Sequence, residues 1–354
     1  MQKRIFALIM IMLMVFMSAA CGHKEKTEEG QKKEQKETTV ETLDEEYGDT
    51  SLGISAKADK ELEDYDTYLI MGTDLGKRSD IMLIVSVNRE TGDSVMTTVD
   101  RDTYMQVKGG EIITVDGQDY EFYKCNRGYQ KGGLRGAVKE LNSHLDLNIR
   151  KAAAISWEGV ADFIDRIGGL DVNVEEEMLS WINNNKDLNG YVQNGEQKID
   201  HAGQQTLTGW QAVQYLRARK YAGGNARVRA ERNESVFKQI LEKTADLPED
   251  EVADIYLEGA DSLDTNMSYD ALYALLTALR KSEPKGTPVW PYTCDTKWDK
   301  NYHFYYQVPT TLESNVAELH KVMFGQEDYK VSDECRALSD KIEELSETIL
   351  VFGE

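Results

Sequence analysis

Between Tyr68 and Tyr104 the chain reads YLIMGTDLGKRSDIMLIVSVNRETGDSVMTTVDRDTY, and this stretch limits the fold more than any other. The apolar run Tyr68 to Met71 stops at Gly72. Ile81 to Val87 is rich in β-formers, and Ser94 to Val99 returns after the turn residues Thr91, Gly92 and Asp93. Three strands joined by two short loops are expected. The charges gather at strand ends: Asp74, Arg78 and Asp80 after the first, Arg101 and Asp102 past the third. Open α/β sheets bind ligands beyond their strand ends. Carboxylates and guanidiniums there suggest a divalent cation beside an anionic phosphate. A solvated loop with surface ion pairs, which stabilise little, is the alternative.

With 354 residues, 40% of them hydrophobic, the chain can bury one large core or two. Its net charge of −22 argues against nucleic acid as a partner, because duplex binding neutralises phosphates with Lys and Arg. A local Arg cluster in so acidic a chain is a candidate anion site.

The first residues have the form of an export signal. Lys3 and Arg4 precede an apolar run from Ile5 to Met17, too short to span a bilayer core of ~20 residues comfortably. Ser18, Ala19 and Ala20 before Cys21 resemble a lipobox, with Ser18 where Leu is usual. Lipidation of Cys21 is expected, with cleavage after Ala20 or an uncleaved short anchor as alternatives. Residues 22–60 are rich in Lys, Glu, Thr and Gly, and read as a disordered tether holding a domain off the membrane.

Beyond Tyr104, the stretch Glu111 to Gly133 reads as a loop carrying Lys124, Asn126 and Arg127 into a Gly-Gly step, with a helix over Leu134 to Leu141. A strand over Ala153 to Trp157, a helix capped by Ser156 and a strand over Leu170 to Val174 follow. This succession implies helices packed on a largely open sheet. Thr208 and Gln211 have capping-box spacing. Arg217, Arg219, Arg227, Arg229 and Arg232 then fall within sixteen residues. The Arg fork matches phosphate oxygens bidentately; an Arg–carboxylate network is the structural alternative. Residues 246–354 read as a helical extension with apolar stripes. Cys294 and Cys335 could form a disulfide in an oxidising compartment. GxSxG, Walker A and HExxH motifs are missing from the sequence.

GTD–x3–RSD, RDTY, K-x-N ahead of GG, IGGLDVNV and L-x-G-x-QA-x-x-Y-x-R-x-R followed by R-x-x-R occur in that order from Tyr68 to Lys243. Together they resemble the LytR–CpsA–Psr family of cell-envelope proteins, over a catalytic domain placed at 61–245. The resemblance implies an α/β fold, an α/β/α sandwich with a mixed central sheet and additional C-terminal helices, and transfer of a glycopolymer from a polyprenyl-pyrophosphate carrier onto peptidoglycan. By the same resemblance Asp74 and Asp80 hold Mg2+, and Arg78, Arg101, Arg217 and Arg219 line the pyrophosphate, with Asp102 partnering Arg101. Lys124, Asn126, Arg229, Arg232 and Asn233 are the further substrate contacts it implies. Asp100 stands where the family usually has Pro, Asn233 where Gln is usual, and Asn225 near a usual Asp. Asp102 or Asp80 could act as base. A non-catalytic polymer-binding or regulatory envelope protein, and a pyrophosphatase using water as acceptor, are the other readings.

Overall fold

The computed structural model describes residues 52–74, 78–115, 117–184, 198–218, 236, 239, 243, 263–268, 271–272, 274–275, 278, 285–299 and 303–352. These fall in two units, one holding 52–154 and 265–352, the other 155–264.

The first unit is built on a six-stranded sheet. Strands β1 (Tyr65–Asp74), β2 (Arg78–Asn88) and β3 (Ser94–Val99) form an antiparallel meander. With β6 (Lys151–Ser156), β9 (Leu263–Thr265) and β10 (Lys285–Gly286) the order is β10-β3-β2-β1-β6-β9. β10 runs parallel to β3, so the sheet is mixed. The chain leaves this unit along β6 and returns along β9. Alternation along the strands explains the layering. Leu69, Met71, Met82 and Ile84 belong to one core with Val138, Leu141, Val316 and Leu319. Tyr68, Ile70, Leu83 and Val85 are buried on the opposite face. The α/β architecture expected from sequence is the one observed.

The helix after β5 begins earlier than expected. α2 (Arg127–Leu145) runs through the Gly-Gly step and kinks at Gly133, whose φ of 59° and ψ of −152° need a residue without Cβ. The preceding stretch is not a loop. β4 (Tyr104–Val115) and β5 (Gln118–Lys124) form a hairpin closed around Gly117.

Two stretches take a structure other than the one expected. The tether ends sooner than residue 60, because α1 (Ala56–Glu61) is capped by Ser55 while Leu52, Ala58 and Leu62 are buried. The C-terminal segment is not a helical extension. β9 and β10 enter the central sheet, and β11 (Cys294–Asp299), β12 (Phe304–Pro309) and β13 (Leu350–Phe352) make a second sheet in the order β12-β11-β13. Helices α6 (Leu312–Phe324) and α7 (Asp333–Ile349) match the expected stripes, and Thr311 and Ser332 cap them. The Cys294–Cys335 disulfide is likewise not formed. Cys335 is buried with its Sγ 3.4 Å from the His144 carbonyl, whereas Cys294 is exposed on β11 beside Gln307. Nearness in sequence did not bring the two together.

In the second unit β7 (Leu170–Val174) pairs with β8 (Gly203–Leu207) as a separate ribbon rather than joining the main sheet. α3 (Trp157–Arg166) is capped by Ser156, as expected, and α4 (Glu176–Asn184) buries Met178 and Ile182. α5 (Gly209–Arg217) starts at the capping-box pair, where the Thr208 N–H donates to Gln211 Oε1 at 3.0 Å. A Cβ at Gly209 would lie 1.9 Å from the Ala161 carbonyl oxygen, so this glycine lets α5 press onto α3. Among the described residues no helix is long and apolar enough to cross a membrane.

Asn142 ties the larger unit together from the last turn of α2. Fully buried, its amide donates to the Leu52 and Ile149 carbonyls at 2.9 Å each and accepts from the Ile149 N–H at 2.9 Å. Asn142→Leu keeps the branched shape and strands these backbone groups. A loss of about 3 kcal/mol is expected, since each orphaned buried group costs ~1–3 kcal/mol. Urea denaturation should show a lower midpoint at unchanged slope; an unchanged midpoint contradicts the assignment.

Candidate functional site

The site begins at the turn that follows β3. Asp100 gives its N–H to the Trp290 carbonyl at 2.8 Å, and its carboxylate accepts the Asp102 N–H at 2.8 Å. The Asp100 carbonyl receives the Thr103 N–H at 3.0 Å, the Thr103 hydroxyl at 2.6 Å and the Cys125 thiol at 3.1 Å. Burial pushes the Asp100 carboxyl up from its ordinary value, and the Asp102 N–H pulls partly back. Asp100 is therefore more than a tolerated change from proline. Proline has no N–H to give Trp290 and no carboxylate to close the turn.

This turn presents Arg101 and Asp102 side by side. The Asp102 carboxylate accepts from Lys124 Nζ at 2.7 Å, and Arg101 Nε lies 3.8 Å away. Lys124 is the last residue of β5, so the hairpin that sequence had read as a loop delivers this cation. Its ammonium sits 4.7 Å from the Phe304 ring centroid and 6.0 Å from that of Tyr306. On the other side, the Gln307 N–H donates to the Asp102 carbonyl at 3.0 Å. Asn126 is buried at the N-cap of α2, with no side-chain capping bond. Arg127 lies with its guanidinium carbon 4.9 Å from the Tyr123 ring.

Asp74, Arg78 and Asp80 occupy the neighbouring strand ends. Asp74 pairs with Arg78 in the backbone ladder. Gly72 pairs with Ile81 and Thr73 with Ser79, which leaves Asp80 as the extra residue of a bulge. β2 and β3 pair from Met82 and Val99 onward, so Asp80 and Arg101 leave the same end of adjacent strands. The charge of Arg78 acts on the Tyr123 phenol of β5. The backbone thus gathers Asp74, Arg78, Asp80, Arg101, Asp102 and Lys124 at one edge of the first unit.

In the second unit Arg217 is the last residue of α5. Its guanidinium carbon is 5.1 Å from the ring centroid of Trp157, the buried first residue of α3. Arg219, Arg229, Arg232, Asn233 and Cys21 lie outside the described residues. The residues that sequence reasoning missed are the supports: Asp100, Trp157, Trp290, Phe304, Tyr306 and Gln307. The alternation in HFYYQVP was a readable strand signal; nothing local announced its neighbour.

Behind Lys124, Glu111 of β4 is pushed up to about 8, first by burial and then by the Asp299 charge, against Arg127. The sign follows from the unfolded chain, where Glu111 keeps its ordinary value of 4.5. Below 4.5 both states hold the proton and the stabilisation is complete. As pH rises towards 8 the unfolded state gives up its proton first, so this contribution is lost. Glu111→Gln should gain melting temperature over the parent at pH 8 relative to pH 5; a parallel pH dependence for both proteins would refute this. Asp100→Ala should lose roughly 1 kcal/mol of stability, read as a lower melting temperature, with Asp100→Asn keeping most of the parent's stability because its amide oxygen can still accept the Asp102 N–H.

The LytR_cpsA_psr family model matches residues 11–321. Biofilm regulatory protein A of Streptococcus mutans is 29% identical over 187 residues, covering 50% of this chain and 43% of that protein. The polyisoprenyl-teichoic acid–peptidoglycan teichoic acid transferase TagU of Bacillus subtilis is 26% identical over 253 residues, covering 67% of this chain and 75% of its own. In fold, the chain is similar to the protein gbs0355 of Streptococcus agalactiae, with a TM-score of 0.54, 21% identity and coverage of 79% and 93%. It is also similar to TagT bound to LIIa-WTA, with a TM-score of 0.50, 21% identity and coverage of 75% and 92%. A family match over residues 11–321, most of the chain, places this protein in the LytR–CpsA–Psr family.

Proposed function

We propose that this protein transfers a glycopolymer from a polyprenyl-pyrophosphate carrier onto peptidoglycan. The observation that carries the reading is the Arg101–Asp102–Lys124 cluster, at the end of β3 beside the β2 end that carries Arg78, in an acidic protein. The TagU relative, named for transferring teichoic acid to peptidoglycan, supports it.

In the proposed reaction a sugar hydroxyl of the acceptor gives its proton to a carboxylate base, Asp102 or Asp80, and attacks the glycan-bearing phosphorus. A new P–O bond forms, the bridging P–O bond of the pyrophosphate breaks, and polyprenyl phosphate leaves with the electron pair. Arg78, Arg101 and Lys124 would stabilise charge on the phosphates. Asp102, with a cation on either side, would aim them. Arg217 and Arg219 are assigned the same role from their motif, and Asn126, Arg229, Arg232 and Asn233 the binding of the substrate.

Asp74 and Asp80 fit a magnesium site in donor chemistry, as hard oxygen ligands brought by the backbone to one end of a hairpin. Mg2+ commonly uses one or two carboxylates plus substrate phosphate oxygens. When bound, such an ion would neutralise charge on the pyrophosphate. Export through residues 1–21 and anchoring through a lipid on Cys21 belong to the same proposal, and put the site on the outer face of a membrane.

The test is transfer from a synthetic polyprenyl-pyrophosphate-linked saccharide to peptidoglycan oligomers. Arg101→Ala and Arg217→Ala should each lower the rate about 30- to 150-fold, as expected for a charge-assisted contact of ~2–3 kcal/mol made in the transition state. Both should remain folded by circular dichroism. Chelator should abolish activity, and Asp74→Ala should match that loss. Release of polyprenyl phosphate with no glycan joined to peptidoglycan would instead establish a pyrophosphatase; binding without turnover in Mg2+ would establish a binding protein.

A further inference from the structure

We propose that strand β12 is a positioning element of the site, in which the Phe304 ring holds the Lys124 ammonium against Asp102. The inference rests on the reading of Asp102 and Lys124 as site residues, and goes beyond it by bringing in a strand from the C-terminal segment.

A Lys–Asp pair at a protein surface is a loose arrangement. The lysine stem has four rotatable bonds and the interaction is screened by water, so such pairs are commonly worth little. Here both partners are gripped by the same strand. The main chain of Asp102 is fixed by the Gln307 N–H at 3.0 Å, and Thr103 bridges to Gln307 in parallel register. The ammonium of Lys124 stands 4.7 Å from the Phe304 centroid, within the range in which a ring face attracts a cation. That ring is itself held edge-on by Tyr306 at 5.1 Å and Tyr123 at 5.4 Å. The side chain of Lys124 is 18% exposed, so the attraction is only partly weakened by solvent. Aromatic face, ammonium and carboxylate stand in sequence, with the Asp102 carboxylate 2.7 Å from Nζ. The ring thereby fixes the direction from which Lys124 reaches Asp102, and Asp102 in turn the place of Arg101.

The experiment compares Phe304→Leu, which keeps the bulk and removes the ring, with Phe304→Tyr, which restores the ring. Two readouts are used on the full chain. The first is NMR of the Lys124 side chain, identified by its disappearance in Lys124→Met. Its methylene signals should be ring-current shifted in the parent and in Phe304→Tyr, and lie at ordinary lysine positions in Phe304→Leu. The second is transfer. Phe304→Leu should lower kcat about tenfold with the donor KM within about twofold, Phe304→Tyr should recover it, and in a Lys124→Met background Phe304→Leu should cost nothing further. Absence of the ring-current shift overturns the proposal, as does parental kcat in Phe304→Leu or a loss that Phe304→Tyr fails to restore. A parent that shows the shift but transfers no polymer would instead overturn the proposed function, leaving the hold on Lys124 standing.

Discussion

The turn at Asp100 is the constraint on which the site depends. One residue leaves β3, gives its N–H to Trp290, and accepts the Asp102 N–H on its carboxylate. Its carbonyl collects Thr103 and Cys125. With its polar groups used in this way, the turn has little freedom, and Arg101 and Asp102 emerge from it in fixed order. A buried carboxylate is costly unless hydrogen-bonded, and this one is raised by burial even with its partner. The arrangement lets a chain that lacks the usual proline still hold a rigid turn, by bonding rather than by a ring.

The same turn explains why the C-terminal segment is integral to the fold. Trp290 is fully buried, pairs with Val99 as an isolated bridge, and gives its indole N–H to the Asn315 carbonyl at 3.2 Å. Asn315 in turn donates to the Thr293 and Thr311 carbonyls at 2.9 Å and accepts the Thr293 N–H at 3.0 Å. The start of α6 and the approach to β11 are thus locked to the end of β3. A cut after residue 245 would remove the acceptor of the Asp100 N–H together with the rings beneath Lys124.

What the sequence made legible follows the range of the forces involved. β1 to β3, the Ser156 and Thr311 caps and the stripes of α6 and α7 rest on local alternation, helical period and capping, and all are present. The β4–β5 hairpin was missed because Gln118, Asp119 and Glu121 mask its alternation, although the Asp116-Gly117 pair is a common hairpin signal. β9, β10 and β13 are two or three residues long, and such strands exist only by virtue of their neighbours. Among site residues, the charged ones could be named by type and spacing. Phe304 and Gln307 could not, because their part in the site arises from pairing with residues far away along the chain.

A chain of net charge −22 must keep its cations from being absorbed by the nearest carboxylates. Aromatic seats meet that need. Arg217 stands over Trp157, Arg127 over Tyr123 and Lys124 over Phe304. A ring face attracts a cation without neutralising it, whereas a carboxylate cancels its charge. In the proposed reaction, Lys124 and Arg127 seated in this way would offer positive charge to an incoming phosphate. Where a carboxylate does approach, at Asp102, two cations share it, so the cluster remains positive by one charge. On the proposed function, this is how an anion site would persist on a strongly acidic protein: the Phe304 ring holds Lys124 where Asp102 alone would otherwise claim it.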